Sequence, residues 1–298
     1  QEMLFSIASV VTWTGGTLVQ GSPDIQISGI SNDTRHIKGG ELFVALIAER
    51  DGHSFIPAAI QAGAGALLVS SVVEEVGDVP TIRVADTFQA LGDIAAGYRK
   101  SHSKVRVVGI TGSNGKTTCK EMLTSIMKQQ DSVLATAGNF NNLIGLPLTL
   151  FGLRDTDVYA ILEMGMNAPG EIARLAEIAQ PEIGVITCVA SAHLEGLGSI
   201  EGVAKAKGEL FDALTPESTA VINADDPRVL ALAQGLPCQR IYFSTSTEEV
   251  VIPEFSTRDT LLSLQSLTHR GVEGSRFTLR IQPLPAGYTE TEMVVNVP

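Results

Sequence analysis

The chain has 298 residues, 44% of them hydrophobic and 18% charged, with a formal net charge of -12. That length is enough for two domains, the composition argues against wholesale disorder, and the charge excludes the basic stripe that a nucleic-acid partner requires. An acidic protein can still hold an anionic nucleotide through local amides, one lysine and metal ions. The three cysteines, Cys119, Cys188 and Cys238, are widely spaced without a CxxC pair. A reducing compartment is therefore expected, with neither a disulfide framework nor a zinc site. No apolar run approaches the roughly 20 residues of a bilayer span, and residues 1–11 lack the charged start of a signal peptide. The expectation is a soluble cytoplasmic monomer, with no membrane insertion and no nucleic-acid partner.

Residues 1–84 read as a small N-terminal α/β domain. A helical stretch over 4–12 precedes short apolar runs over 25–30, 42–46 and 66–69, punctuated by glycine and aspartate. Helical periodicity over 86–102 (Phe88, Leu91, Ile94, Ala95, Tyr98) connects into a second domain, 85–298. From Val105 strands alternate with helices, the pattern of a mostly parallel sheet flanked by helices. The expected strands cover 105–111, 132–136, 159–164, 183–189, 220–223 and 240–243, and the helices 116–128, 170–179, 200–214 and 227–233. Beyond about Val250 short alternating strands follow, including 261–267 and 276–281, and predict a smaller antiparallel sheet. The apolar run over 293–297 just before Pro298 reads as the interior of a larger protein, because domains usually end in polar or flexible sequence.

The strongest motif is Gly109-Ile110-Thr111-Gly112-Ser113-Asn114-Gly115-Lys116-Thr117-Thr118, between an apolar strand and a helix. Such a loop turns backbone N–H groups toward phosphate oxygens at a helix N-terminus. Lys116 is placed to neutralise the β- and γ-phosphates, and the Thr117 hydroxyl to bind Mg²⁺. The generic phosphate loop puts its first glycine six residues before the lysine, where this chain has Ile110. The predicted class is therefore α/β with a P-loop-type central domain.

Other polar residues follow predicted strands, where ligands of open α/β sheets gather. Asn139, Asn141 and Asn142 follow the second strand, Glu163 ends the third, His193 follows the fourth, and Asn223 and Asp225 follow the fifth. Their shared edge is the residue-level argument for one site. Each also has an ordinary local reading: Glu163 as a cap or ion-pair partner, His193 as a satisfied structural residue, and Asp225 or Asp226 as the N-cap before Pro227.

The segment Thr111-Gly112-Ser113-Asn114-Gly115-Lys116-Thr117-Thr118 resembles the ATP-binding motif of the Mur ligases, a family that includes folylpolyglutamate synthase relatives. Residues 136–147 (TAGNFNNLIGLP), Tyr98-Arg99 and Lys120-Glu121-Met122 resemble segments of the branch that adds D-Ala-D-Ala, and the resemblance runs from about residue 4 to 298. It implies ATP binding at Gly112, Ser113, Asn114, Gly115, Lys116, Thr117 and Thr118, with Asn223 and Asp225 near the adenine and ribose. It also implies two Mg²⁺ sites. The first uses Thr117 and Glu163; the second uses His193 and Lys207, the latter as a carbamate, since an ammonium repels Mg²⁺. Lys116, Glu163, His193 and Lys207 are the implied catalytic set, and Lys205 is a surface residue. Related ligases commonly carry Asn at position 188, so Cys188 reads as packing.

In the first domain Ser31, Asp33, Thr34 and Arg35, together with Asp51, Gly52 and His53, resemble the segments flanking a UDP-sugar site. Read alone, each is an ordinary polar turn. The family often has glycine near Ala48, so the shape of that loop is expected to differ. Asn139, Asn141 and Asn142 are implied to position substrate.

The activity implied is the joining of D-Ala-D-Ala to UDP-N-acetylmuramoyl-tripeptide through an acyl phosphate. The rivals are another amide ligase of the family, either third-residue-adding or folylpolyglutamate-type, and a nucleotide-binding fragment that is inactive without the family's third domain.

Overall fold

A computed structural model of the chain describes residues 4–48, 50–74, 76–190, 198–269, 271, 275–283 and, for the backbone alone, 291–295. The chain forms two compact units. One comprises residues 1–105 and 136–158, the other residues 106–135 and 159–298. The helix read as the connection into the second domain groups with the first unit, as does the asparagine-rich stretch of 136–147.

In the first unit, helix α1 (Ile7–Thr14) starts where the Ser6 hydroxyl accepts from Ser9 N, 3.2 Å away, and stops at Gly15 in left-handed conformation. Strand β1 (Phe5–Ser6) pairs antiparallel with β3 (Gln26–Ile27). A separate sheet contains β2 (Thr17–Gln20), β4 (Ile30–Ser31), β5 (Leu42–Val44), β6 (Ala66–Val69) and β7 (Thr81–Arg83), in the order β2-β7-β6-β5-β4. Strands β4 to β7 run parallel, and β2 closes the edge antiparallel to β7. The apolar run over 25–30 thus serves two sheets instead of one strand. It divides at Ser28-Gly29, where Ser28 N donates to Gly40 O. Helix α2 (Ile56–Gln61) lays Ile56 and Ala59 on the buried Phe43, Leu67 and Val69.

Helix α3 (Thr87–Ser101) is capped by Asp86, which accepts from Phe88 N and Gln89 N. It brings Tyr98 against Phe5 and Phe151, with ring centroids 5.7 and 5.9 Å apart, and the Tyr98 hydroxyl donates to Leu153 O at 3.0 Å. Helix α5 (Gly145–Leu150), which is not among the helices expected from periodicity, lies in this same unit. Asn142 Oδ1 accepts from Ile144 N and Gly145 N at its start. A Cβ on Gly145 would come within 2.5 Å of Phe140 Cα, so only glycine permits that approach.

The second unit is one mixed sheet of β8 (Arg106–Thr111), β9 (Val133–Ala135), β10 (Tyr159–Glu163), β11 (Ile183–Ile186), β12 (Thr219–Asn223), β13 (Gln239–Ser244), β14 (Thr260–His269), β15 (Ser275–Gln282) and β16 (Thr291–Val295). The order is β16-β15-β14-β13-β12-β11-β8-β10-β9. All pairs from β9 to β14 are parallel, and β14, β15 and β16 pair antiparallel. The antiparallel strands expected after Val250 thus continue the parallel sheet through β14. Helices α4 (Lys116–Met127), α6 (Glu171–Ala179), α7 (Ile200–Asp212) and α8 (Pro227–Leu232) connect the strands. Glu209 of α7 accepts from Gly170 N and Ala173 N, which fixes the start of α6.

At the start of β14, beside its parallel neighbour β13, Arg240 forks onto Asp259. Nε donates to Oδ1 at 3.0 Å and Nη2 to Oδ2 at 2.7 Å, both side chains being buried. Burial alone would raise the Asp259 carboxyl, but the Arg240 bonds outweigh it and hold it below the ordinary value. Removing one partner from such a pair leaves a buried charge uncompensated. Asp259→Ala should cost about 3–5 kcal/mol in denaturant unfolding, with a correspondingly lower melting temperature. Because the folded value is depressed, wild-type protein should lose stability as pH falls through the folded Asp259 value, and Asp259→Ala should lack that part of the acid dependence.

Candidate functional site

Adjacent parallel strands that end together leave backbone groups at the sheet edge without a ladder partner, and the loops beyond must satisfy them. Strand β8 ends at Thr111 and passes through Gly112, Ser113, Asn114 and Gly115 into α4. Gly112 has φ 149° and Gly115 has φ 79°, both in the region that favours glycine. Gly115 is the N-cap of α4, so the loop delivers the chain to a helix N-terminus as the motif predicts. Among the described residues, N–H of Asn114 and Gly115 meets no protein acceptor.

Around this loop the structure collects several of the expected residues. Lys116 Nζ donates to Gly112 O at 2.9 Å and lies back along the loop. The Thr117 hydroxyl donates to Glu163 Oε2 at 2.9 Å. Glu163, the last residue of β10, is 3% exposed. A hydroxyl and a carboxylate from adjacent elements therefore share one spot.

Lys207 lies on the buried face of α7 and is also 3% exposed, whereas Lys205 points to solvent. Among the described residues, the Lys207 ammonium has no hydrogen-bond or ion-pair partner. Burial first, then repulsion from Lys116, push its ammonium down to about 8. His193 falls in residues 191–197, outside the described residues.

Three expected nucleotide residues turn out to be internally committed. Ser113 N donates to Cys188 O at 2.8 Å, while the Ser113 hydroxyl donates to Ala190 O and accepts from Ala190 N. Asn223 Nδ2 donates to Thr187 O at 2.8 Å, and Asn223 Oδ1 accepts from Asp225 N at 3.0 Å. The Asp225 carboxylate accepts from the Ser244 hydroxyl and from Thr245 N and Oγ1. Burial raises the Asp225 carboxyl, but these bonds prevail and hold it below its ordinary value. The N-cap before Pro227 is Asp226, which accepts from Arg228 N and also from Val189 N at 2.7 Å.

Thr187, which belongs to no motif, is the hub of this set. It ends up there because residues 187–189, expected to extend the fourth strand, leave it after Ile186 and cross the loop. An apolar strand followed by Thr carries no signal that predicts such a turn.

In the first unit the expected residues build two capped turns. The Ser31 hydroxyl donates to Asp33 O and accepts from Asp33 N. Asp33 then accepts from Arg35 N and the Arg35 guanidinium, and these bonds hold its carboxyl far below the ordinary range. Asp51 accepts from His53 N, which lowers its carboxyl, as does the His53 ring at 2.6 Å. Ser70 N donates to His53 Nε2 at 2.9 Å. That bond requires Nε2 to be unprotonated, so the neutral ring carries its proton on Nδ1 and both nitrogens are engaged. Through Ser70 this ring supports one wall of a cavity of about 610 Å³, lined also by Thr14, Gly16, Thr17, Ser71 and Arg83. Gly52 N donates to Leu46 O, and a Cβ on Gly52 would press on that same oxygen. Ala48, near which the family often has glycine, is not in left-handed backbone.

The Lys207 environment makes a prediction about stability. Its folded value lies below the unfolded one, so the fold penalises the charged form. That penalty is full below about pH 8 and fades toward the unfolded lysine value of about 10.4. In carbonate-free buffer at pH 7, Lys207→Met should stabilise the protein by up to about 3 kcal/mol. The melting-temperature gap between variant and wild type should narrow as pH rises from 8 to 10.

The Mur ligase middle domain model matches residues 110–282, and a second model, for the Mur ligase family catalytic domain, matches residues 26–99. The UDP-N-acetylmuramoyl-tripeptide--D-alanyl-D-alanine ligase of Escherichia coli strain K12 is 46% identical over 209 residues, 70% of this chain and 45% of that protein. The Bacillus subtilis protein of the same name is 38% identical over 255 residues, 84% of this chain and 54% of its own length. The chain thus spans about half the length of the curated relatives it matches. Among solved structures, MurF from Acinetobacter baumannii superposes with a TM-score of 0.81 at 28% identity, covering 92% of this chain and 58% of that one. MurF ligase from Thermotoga maritima, in complex with ADP, gives 0.71 at 29% identity, covering 84% and 55%. With a family model covering more than half of its residues, on the sheet edge that carries the phosphate loop, this chain belongs to the Mur ligase family.

Proposed function

We propose that the chain supplies the nucleotide-binding and UDP-sugar-binding parts of a cytoplasmic ATP-dependent ligase that joins D-Ala-D-Ala to UDP-N-acetylmuramoyl-tripeptide. The observation that carries the reading is the meeting of the Thr117 hydroxyl and the Glu163 carboxylate beside Lys116 at the mouth of the phosphate loop. The names of the relatives support the choice of substrates.

The donor set suits Mg²⁺. Among the described residues no cluster of three or more His, Cys, Asp or Glu could cage a metal. Mg²⁺ instead takes one or two carboxylates and leaves its other positions to phosphates and water. Thr117 and Glu163 would hold one ion. Lys207, with His193, would help hold a second once carbamylated. A buried amine with a value near 8 keeps a neutral fraction at neutral pH, and that fraction is the form whose nitrogen adds to CO₂ and then sheds a proton. When bound, Mg²⁺ supplies charge neutralisation between the triphosphate and the attacking carboxylate.

The chain's own groups perform the rest. The loop N–H groups and the α4 N-terminus receive phosphate oxygens. Lys116 swings from Gly112 O to the transferring phosphoryl group and stabilises the charge developing there. The tripeptide carboxylate attacks the γ-phosphate, and ADP leaves. The D-Ala-D-Ala amine then attacks the acyl phosphate carbon, and phosphate leaves. No enzyme nucleophile is needed. Asn223 and Asp225 act by fixing the sheet edge, with any purine or ribose contact coming from their backbone. Ser31, Thr34 and Arg35, together with the turn at Asp51-Gly52-His53, serve the UDP-sugar, and Asn139 and Asn141 the growing peptide.

The test is D-Ala-D-Ala-dependent phosphate release with ATP, Mg²⁺ and UDP-N-acetylmuramoyl-tripeptide, on this chain and on a version extended to the length of its relatives. Release from the extended form alone is expected, and a different amine driving release would move the chain to another branch of the family. In the extended form Glu163→Gln should lower kcat by at least about 100-fold, with a smaller effect on ADP binding.

A further inference from the structure

We infer that Thr187 is a positioning residue for the phosphate loop, setting the orientation of the loop peptides that receive phosphate. This rests on the nucleotide-site reading above and assigns the shape of that site to a residue outside the motif.

Thr187 is fixed by two backbone hydrogen bonds, and Val189 two residues on by a third, before its hydroxyl acts. Its N–H donates to Thr111 O at 3.0 Å, its carbonyl accepts from Asn223 Nδ2 at 2.8 Å, and the neighbouring Val189 N is held by Asp226 at 2.7 Å. From that position the Thr187 hydroxyl donates to Asn114 O at 2.6 Å, with Thr111 O at 3.4 Å in a weaker second branch. One hydroxyl therefore touches both the entry and the exit of the loop.

The consequence follows from the planar trans peptide, in which a carbonyl and the next N–H point in opposite directions. Drawing Asn114 O toward Thr187 turns Gly115 N–H away from the sheet, toward the open side where α4 begins. Ser113 N–H is already bound to Cys188 O. The Asn114–Gly115 peptide therefore carries a larger share of the phosphate-facing donors than the motif alone suggests. Gly112 confirms how tightly the hydroxyl is seated, because a Cβ there would collide with Thr187 Oγ1. The glycine at 112 and the threonine at 187 are thus a matched pair across the two strand ends.

Thr187→Val keeps the branched shape and removes the hydroxyl; Thr187→Ser keeps the hydroxyl and removes the methyl. ADP binding in the presence of MgCl₂ is measured by calorimetry on the full chain, with thermal unfolding of each nucleotide-free protein alongside. Thr187→Val should weaken ADP binding about tenfold, the loss of one hydrogen bond's worth of organisation, and Thr187→Ser should stay within about twofold of wild type. Equal binding by wild type and Thr187→Val, or equal weakening by Val and Ser, would overturn the inference. So would a melting-temperature loss in Thr187→Val without a loss of binding. Absence of ADP binding by the wild type would overturn the nucleotide-site reading itself, and the inference with it.

Discussion

A parallel sheet ends abruptly. At the carboxyl edge each strand leaves amides and carbonyls that no further strand will pair, and leaving them unmet costs roughly 1–3 kcal/mol apiece. In the second unit the endings of β8 and β11 meet this demand from each other. Ser113 binds the backbone of Cys188 and Ala190, and Thr187 binds Thr111 and Asn114. The phosphate loop is therefore one side of a two-sided structure; Gly112 is required because Thr187 stands so close, and Gly115 because its backbone is left-handed.

The same logic continues across the edge. Asn223, at the end of β12, reaches back to Thr187, and Asp225 reaches forward to Ser244 and Thr245 at the end of β13. The endings of β8, β11, β12 and β13 are thus joined one to the next by short polar side chains. Such support is what a phosphate site needs, since a displacement of about 1 Å can cost 100-fold in rate. Lys207 stands apart from this network. It is a buried cation without an ion-pair partner among the described residues, an arrangement that costs stability.

The first unit relies on capped turns instead. Asp33 and Asp51 each accept the N–H groups of the turn that follows and pair with a basic side chain two residues on. Both turns are shaped by the sequence immediately around them. The aromatic group of Phe5, Tyr98 and Phe151 is drawn from three distant stretches, and it explains why α3 and α5 belong with residues that precede the phosphate loop.

Local chemistry determined much of this protein. The alternation of apolar runs with amphipathic stretches placed nearly every strand and helix of the second unit to within a few residues, because periodicity and capping act over one or two turns. The glycine pattern with Lys116 and Thr117 marked the phosphate loop for the same reason. Tertiary structure alone decided the rest. It split the run over 25–30 between two sheets, returned residues 136–158 to the first unit, and ended β11 at Ile186 so that Thr187 could meet Asn114. Each of these depends on which strand ends lie side by side, and the partners are 73 residues apart for Thr187 and Asn114 and 55 for Tyr98 and Leu153. Hydrogen bonds over such separations leave no periodic trace in either segment, so they become visible only once the chain is folded.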